Sequence, residues 1–267
     1  MFTFETTIKD QKIKANAQQF FKNAIGALFQ VLKKASEQHD IFDPNFALGF
    51  GFSYFFLVKR EGNDFYEVAT VNYRKNPFNE RTTDLTIALI IHNMQSEMIS
   101  TAKVQPQNTF FRQSMIVLRQ AVKADEIYLT RTTPADAADS GWYLGLTNDE
   151  HEDDHQAEDF LKLPVCELIK MRPVAMRVLA MPVGTLVTIS KNDITAVVDE
   201  NDNPIPFTPE EELRRREQEG QKKLKEQLDE AVKKAKEGKA AEDEKNGTVL
   251  KFVPKTEASN AEKKDNQ

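Results

Sequence analysis

The chain of 267 residues holds one cysteine, one tryptophan and ten glycines. A single thiol, Cys166, can close no internal disulfide and build no cysteine-zinc cluster, which fits a reducing compartment. There is no excess of base either. Lys and Arg number 36 against 42 Asp and Glu, a net charge of −6, which argues against a dedicated nucleic-acid binder. Long apolar runs are missing: the longest, Phe46–Val58, spans 13 residues, short of the roughly 20 that a membrane helix needs. The start, MFTFETTIKDQ, lacks the basic region and apolar stretch of a secretory signal. These absences predict a cytoplasmic protein with no membrane partner, of one or two domains by length.

Base is also absent locally. No Lys or Arg lies between Arg131 and Lys162, while nine acids do: Asp136, Asp139, Asp149, Glu150, Glu152, Asp153, Asp154, Glu158 and Asp159. Their mutual repulsion must be offset by solvent, cations or a basic partner. A solvated acidic loop is the bland reading of such a run. Beyond Thr208 the chain is half charged but balanced, with 15 acids and 15 bases, so the whole net charge belongs to the first 207 residues.

Apolar periodicity predicts an amphipathic helix over Ile13–Lys34 and a strand over Phe46–Tyr54, whose one face is aromatic and whose other carries Gly49, Gly51 and Ser53. Turn chemistry at Glu61–Asp64 leads to a second strand, Phe65–Arg74, making a hairpin. Leu85–Ile91 reads as a third strand and Gln107–Val122 as a helix. Then follow short strands at Ile127–Leu129 and Trp142–Leu144, a helix within Phe160–Ile169, and a strand at Leu186–Ile189. Thr208, Pro209 and Glu211 form a helix start with a capping box, running to about Lys239 with a thin stripe of Leu213, Leu224, Leu228 and Val232. The last 25 residues or so have the composition of disorder. The expected fold class is α+β: two small sheet-plus-helix units, 1–124 and 125–207, followed by a charged C-terminal helix and disordered tail, 208–267.

Several motifs carry chemistry on paper. His151-Glu152-Asp153-Asp154-His155 matches the zinc-protease pattern, in which two His one helical turn apart bind the metal and Glu activates water. The surrounding residues lack the apolar anchors of such a helix, and no later His completes the ligand set. Asp149–Asp159 lacks the central Gly and ligand spacing of a calcium loop. Gly51-Phe52-Ser53-Tyr54 begins like a nucleophile elbow, but Phe55 replaces the final Gly. Gly49 and Gly51 precede neither helix nor Lys, so no phosphate loop is supported. Cys166, set among Leu163, Val165, Leu168 and Ile169, reads as an inert core thiol. His39 and His92, read at element ends, carry no assigned role. No catalytic residue, metal ligand or cofactor is expected.

One ordered set of segments is distinctive: Glu126–Thr130, then Asp139-Ser140-Gly141-Trp142-Tyr143, the acidic run, Leu163–Ile169, and Met181-Pro182-Val183-Gly184-Thr185. Over about residues 126–190 this resembles the thirty-third immunity-protein family of bacterial polymorphic toxin systems, a former domain of unknown function. The first unit and the tail lie outside the resemblance, and the His151/His155 pair is not part of the family pattern. The resemblance implies binding rather than catalysis: an immunity protein holds a cognate toxin and blocks its active site. The residues agree independently. Asp149, Glu150, Glu152, Asp153 and Asp154 can imitate a polyanion before a basic partner, and Trp142 and Tyr143 are natural aromatic anchors beside them, with core packing the other reading of Trp142. The partner expected is a cognate toxin or other basic protein. The alternatives are a zinc-dependent hydrolase using the HEDDH segment and an adaptor using the 208–239 helix.

Overall fold

Lys12, Lys14 and Asn16 alternate with Ile13, Ala15 and Ala17, and the three apolar residues are wholly buried. A period of two belongs to a strand. In the computed structural model, which describes residues 1–150, 154–216, 218–220 and 222, Gln11–Ala17 is accordingly strand β2, paired antiparallel with β1 (Phe2–Ile8). Lys9 and Asp10 between them have φ of 47° and 59°, the left-handed conformation that matches a tight hairpin to the twist of its strands. The helix expected from Ile13 therefore starts later. It is α1, Lys22–Ser36, with Ala24, Ile25, Leu28 and Leu32 buried.

The strand expected over Phe46–Tyr54 is two strands, β3 (Leu48–Phe50) and β4 (Ser53–Val58), folded back on each other at Gly51. The hairpin to β5 (Phe65–Val71) forms as its turn chemistry indicated. With the two-residue β6 (Arg81–Thr82) on β5, the first sheet has the order β1-β2-β5-β4-β3, and only β2 and β5 run parallel.

Two expectations fail together. Leu85–Ile91 is not a strand but the start of helix α2, Thr86–Ala102. Ala88, Ile91, Gln95, Met98 and Ala102 are buried at alternating three- and four-residue spacing, a seam that shows only beyond a seven-residue apolar window. The Asp84 carboxylate accepts the Thr86 N–H at 3.0 Å at the helix start. Conversely, Gln107–Val122 is not a helix. It holds β7 (Ser114–Leu118) and a 3₁₀ turn, Arg119–Val122. Met115 and Val117 are buried while Ile116 between them is exposed. Phe110 and Phe111, which had suggested a helical face, pack on Tyr54 instead, one stacked at 5.3 Å and one edge-on at 5.8 Å.

The strands read at Ile127, Trp142 and Leu186 lie in β8 (Glu126–Arg131), β9 (Asp139–Leu146) and β11 (Leu186–Ser190). The helix expected over Phe160–Ile169 is divided: Phe160–Pro164 is β10, and only Leu168–Met171 is helical, as α3. With β12 (Asp193–Val198), the second sheet has the order β10-β7-β9-β8-β11-β12. It takes β7 from ahead of residue 125. The architecture is α+β, and both sheets lie in one compact unit, Met1–Glu212.

At the end of that unit Thr208 does not use its hydroxyl as a helix cap. The hydroxyl donates to Glu97 at 2.5 Å, while the Thr208 carbonyl accepts from the buried Arg177 at 2.9 Å. Arg177 also meets Glu97 at 3.1 Å and Glu210, where helical residues begin. In the second unit, residues 213–216, 218–220 and 222 are helical, and Arg215 lies 4.0 Å from Glu219. The rest of the expected helix to Lys239 and the tail fall outside the described residues. Among the described residues no helix is long and apolar enough to cross a membrane.

A second buried arginine ties the second sheet to its neighbours. Arg131, at the end of β8, is 4 % exposed and pairs with no carboxylate among the described residues. Its guanidinium donates to the carbonyls of Met181 at 2.5 Å, Gln107 at 2.6 Å and Ser140 at 3.2 Å. Burial lowers its pKa to about 10. Replacing it by Met would leave those carbonyls without a donor, and each buried orphan costs about 1–3 kcal/mol. Arg131→Met is therefore expected to lower the unfolding free energy by about 3 kcal/mol or more in urea titration; a change within about 0.5 kcal/mol, typical of surface substitutions, would deny the residue this role.

Candidate partner-binding surface

The Asp139-Ser140-Gly141-Trp142 segment opens β9, and each residue has a structural task. Asp139 accepts the backbone N–H groups of Ala135 and Gly141 at 2.9 and 3.0 Å. Burial opposes its charge, but those donors and nearby Lys162 outweigh it and hold the carboxyl below its ordinary range. Ser140 donates to the Ser114 carbonyl at 2.7 Å, joining β9 to β7. Gly141 has φ of 73°, and a Cβ there would stand 2.1 Å from the Thr132 carbonyl oxygen, so only glycine fits. Trp142 is 1 % exposed. Its indole N–H donates to the Thr109 hydroxyl at 3.2 Å, and that hydroxyl donates to the Leu179 carbonyl at 2.7 Å. The Arg131 guanidinium lies 5.5 Å from the indole ring. Trp142 thus packs in the core and presents no surface of its own.

Tyr143, the next residue, points to the other face of the sheet. There it meets Tyr128 of β8 at 5.7 Å and Phe160 of β10 at 6.3 Å, and Phe160 meets His155 at 6.0 Å. This row of rings crosses the open face beside exposed Ile116. Gly145 makes it possible. It sits opposite Tyr128 in the register, and a Cβ there would fall 2.8 Å from both tyrosine rings. Sequence reasoning missed Tyr128, Phe160 and Gly145. The alternation of β8 held the signal for Tyr128, which lies between buried Ile127 and Leu129.

The acidic segment follows β9 directly. Asp149 and Glu150 line an open groove with Tyr128 and Thr188 of β11. Asp154 is exposed, while Glu152 and Asp153, with His151, lie outside the described residues. The nine acids do not act alike. Asp136 accepts two backbone N–H groups of its own turn, and Asp159 accepts that of Gln156. The Glu158 carbonyl accepts from Arg119 at 2.7 Å. His155 bonds Asp149 at 2.7 Å. That bond raises the imidazole pKa, burial opposes it, and the charges of Asp149, Asp159 and Asp154 add to the rise. Among the described residues no group of three His, Cys, Asp or Glu could hold a metal ion. Cys166 is buried, with its pKa pushed up to about 11 chiefly by burial, and Ser53 shares a buried hydrogen bond of 2.6 Å with Tyr73.

The sheet that carries this face coincides with a match to known proteins. Residues 94–200 match the family model described as the Imm33-like domain, an immunity-protein class. The match runs from within α2 through β12 and encloses the segment, residues 126–190, on which the resemblance rested. No curated protein and no solved structure matches the chain.

The His155–Asp149 pair has a pH signature. A raised folded-state pKa contributes stability that is complete below the imidazole's ordinary value and is lost as pH rises through the raised one. The His155 ring signals are expected to titrate above the free imidazole midpoint by NMR, and Asp149→Asn to bring the midpoint down. An unmoved midpoint in that variant would show the pair absent in solution.

Proposed function

We propose that the chain is a non-enzymatic bacterial immunity protein that acts in the cytoplasm and neutralises a cognate toxin through its acidic surface. The single observation that carries this reading is the Imm33-like match over residues 94–200, which covers the sheet bearing the acidic segment. The docking surface we assign comprises Tyr143 with Asp149, Glu150, Glu152, Asp153 and Asp154; Trp142 supports it from beneath, through β9. A basic partner would be steered by the acids and seated on the aromatic row. A nuclease or another enzyme with a cationic cleft has the complementary chemistry, because its substrate is itself a polyanion.

The test is a pull-down with a candidate toxin. Exchanging Asp149, Asp153 and Asp154 for Asn, and Glu150 and Glu152 for Gln, is expected to weaken capture by about a hundred-fold or more at low salt, as loss of several close charge pairs does. Added salt should weaken the native complex in the same direction. Tyr143→Ala should act mainly by speeding dissociation. Capture unchanged by the charge exchange would remove the acidic segment from the mechanism.

A further inference from the structure

His92, Ser96 and Ser100 stand four residues apart along α2, so they form one stripe on its surface. All three line a pocket of about 350 Å³, together with Gly51 and Asn108. That volume lies at the small end of the range for ligand sites, about 300–1,000 Å³. No Asp, Glu, Lys or Arg lines it, although 29 % of the chain is charged. The pocket shares no residue with the docking surface above.

Its polar groups are unspent. Gln95, 5 % exposed, also lines the pocket. Its amide nitrogen donates to the Met176 carbonyl at 3.1 Å, while its amide oxygen accepts from no described residue. Nor do the side chains of His92, Ser96, Ser100 or Asn108 hydrogen-bond within the described residues. His92 packs on the Phe50 ring at 4.3 Å, and burial lowers its pKa. It is therefore neutral at neutral pH, with one ring nitrogen donating and one accepting. Gly51, with φ of 59°, leaves room for this imidazole, since a Cβ would stand 2.9 Å from Nδ1.

We propose that this pocket binds an uncharged polyol of monosaccharide size, a neutral sugar, through the Gln95 amide oxygen, the His92 imidazole and the Ser96 and Ser100 hydroxyls. A charged ligand would surrender hydration and find no counter-ion. A wholly apolar one would strip solvent from the Gln95 oxygen and give it no donor. A sugar supplies donors and acceptors on its rim and C–H groups for Ile99 and Pro106, which also line the pocket.

The test is an amide NMR titration of the full chain with methyl glucoside and N-acetylglucosamine, with cationic glucosamine and anionic glucuronate as close isosteres. A neutral sugar is expected to shift the Ser96, Ser100 and Ala180 signals saturably in the millimolar range, and the charged isosteres to bind at least about ten-fold more weakly. The Ser96→Ala/Ser100→Ala double variant keeps the helix, since both sites are exposed and alanine favours helix, and should weaken binding about ten-fold. The proposal is overturned by no saturable shift with either neutral sugar, by equal response to the charged isosteres, or by undiminished affinity in the double variant.

Discussion

A buried cation bonded to carbonyls holds the second sheet in place. Arg131 brings a guanidinium into the interior, where its Nε donates to the Ser140 carbonyl and its Nη1 to those of Gln107 and Met181. Those carbonyls come from a loop after α2, the first turn of β9, and the segment before β11. A carboxylate partner would have fixed one point; a planar fork of donors fixes three. The arrangement is costly to empty, because the Ser140 and Met181 carbonyls would then lie buried without a donor, so the three segments stay where the fork places them. The Trp142 ring beside the guanidinium completes the packing.

Strand β9 divides its labour by alternation. Its opening turn uses Asp139, Ser140 and Gly141 for backbone geometry and Trp142 for the core. Its far side lifts Tyr143 onto the open face, over the space that Gly145 leaves. The distinctive sequence of the strand is thus the mounting, and the surface it mounts is the ring row and the acids that follow. The acidic stretch divides in the same way. Asp136, Asp139 and Asp159 are spent on backbone N–H groups, whereas Glu150 lies exposed on the groove. A count of charges along the chain treats these as equals, and the fold does not.

What was legible in the sequence follows from range. Alternation in β8, β9 and β11, and the turn between β4 and β5, are local, and they were read correctly. Leu85–Ile91 and Gln107–Val122 exchanged types because the deciding information lay outside the window: the seam of α2 continues to Ala102, and Phe110 and Phe111 serve an aromatic cluster around Tyr54 that no local pattern announces. Ile13 and Ala17 also satisfy helical spacing with Phe20 and Phe21, so short-range periodicity merges this strand with the helix that follows. The acidic segment was found by composition alone. The ring row was not, since Tyr128, Tyr143 and Phe160 come from three strands joined only by sheet order and His155 from the loop before β10. The pocket beside His92 has no local signature, because Phe50, Gly51, Asn108 and Ala180 reach it from segments far from α2 in sequence.

The Arg177 clamp sets where the body of the molecule ends. Its guanidinium is gripped by Glu97 of α2 from one side and by the Thr208 carbonyl and Glu210 from the other. A chain cut after Phe207, where composition changes, would keep the buried cation and discard half of its cage. A cut after Glu212 would leave the cage whole. The junction between body and tail therefore lies a turn later than the change in composition suggests, and the first residues of the charged segment belong, by their bonds, to the core.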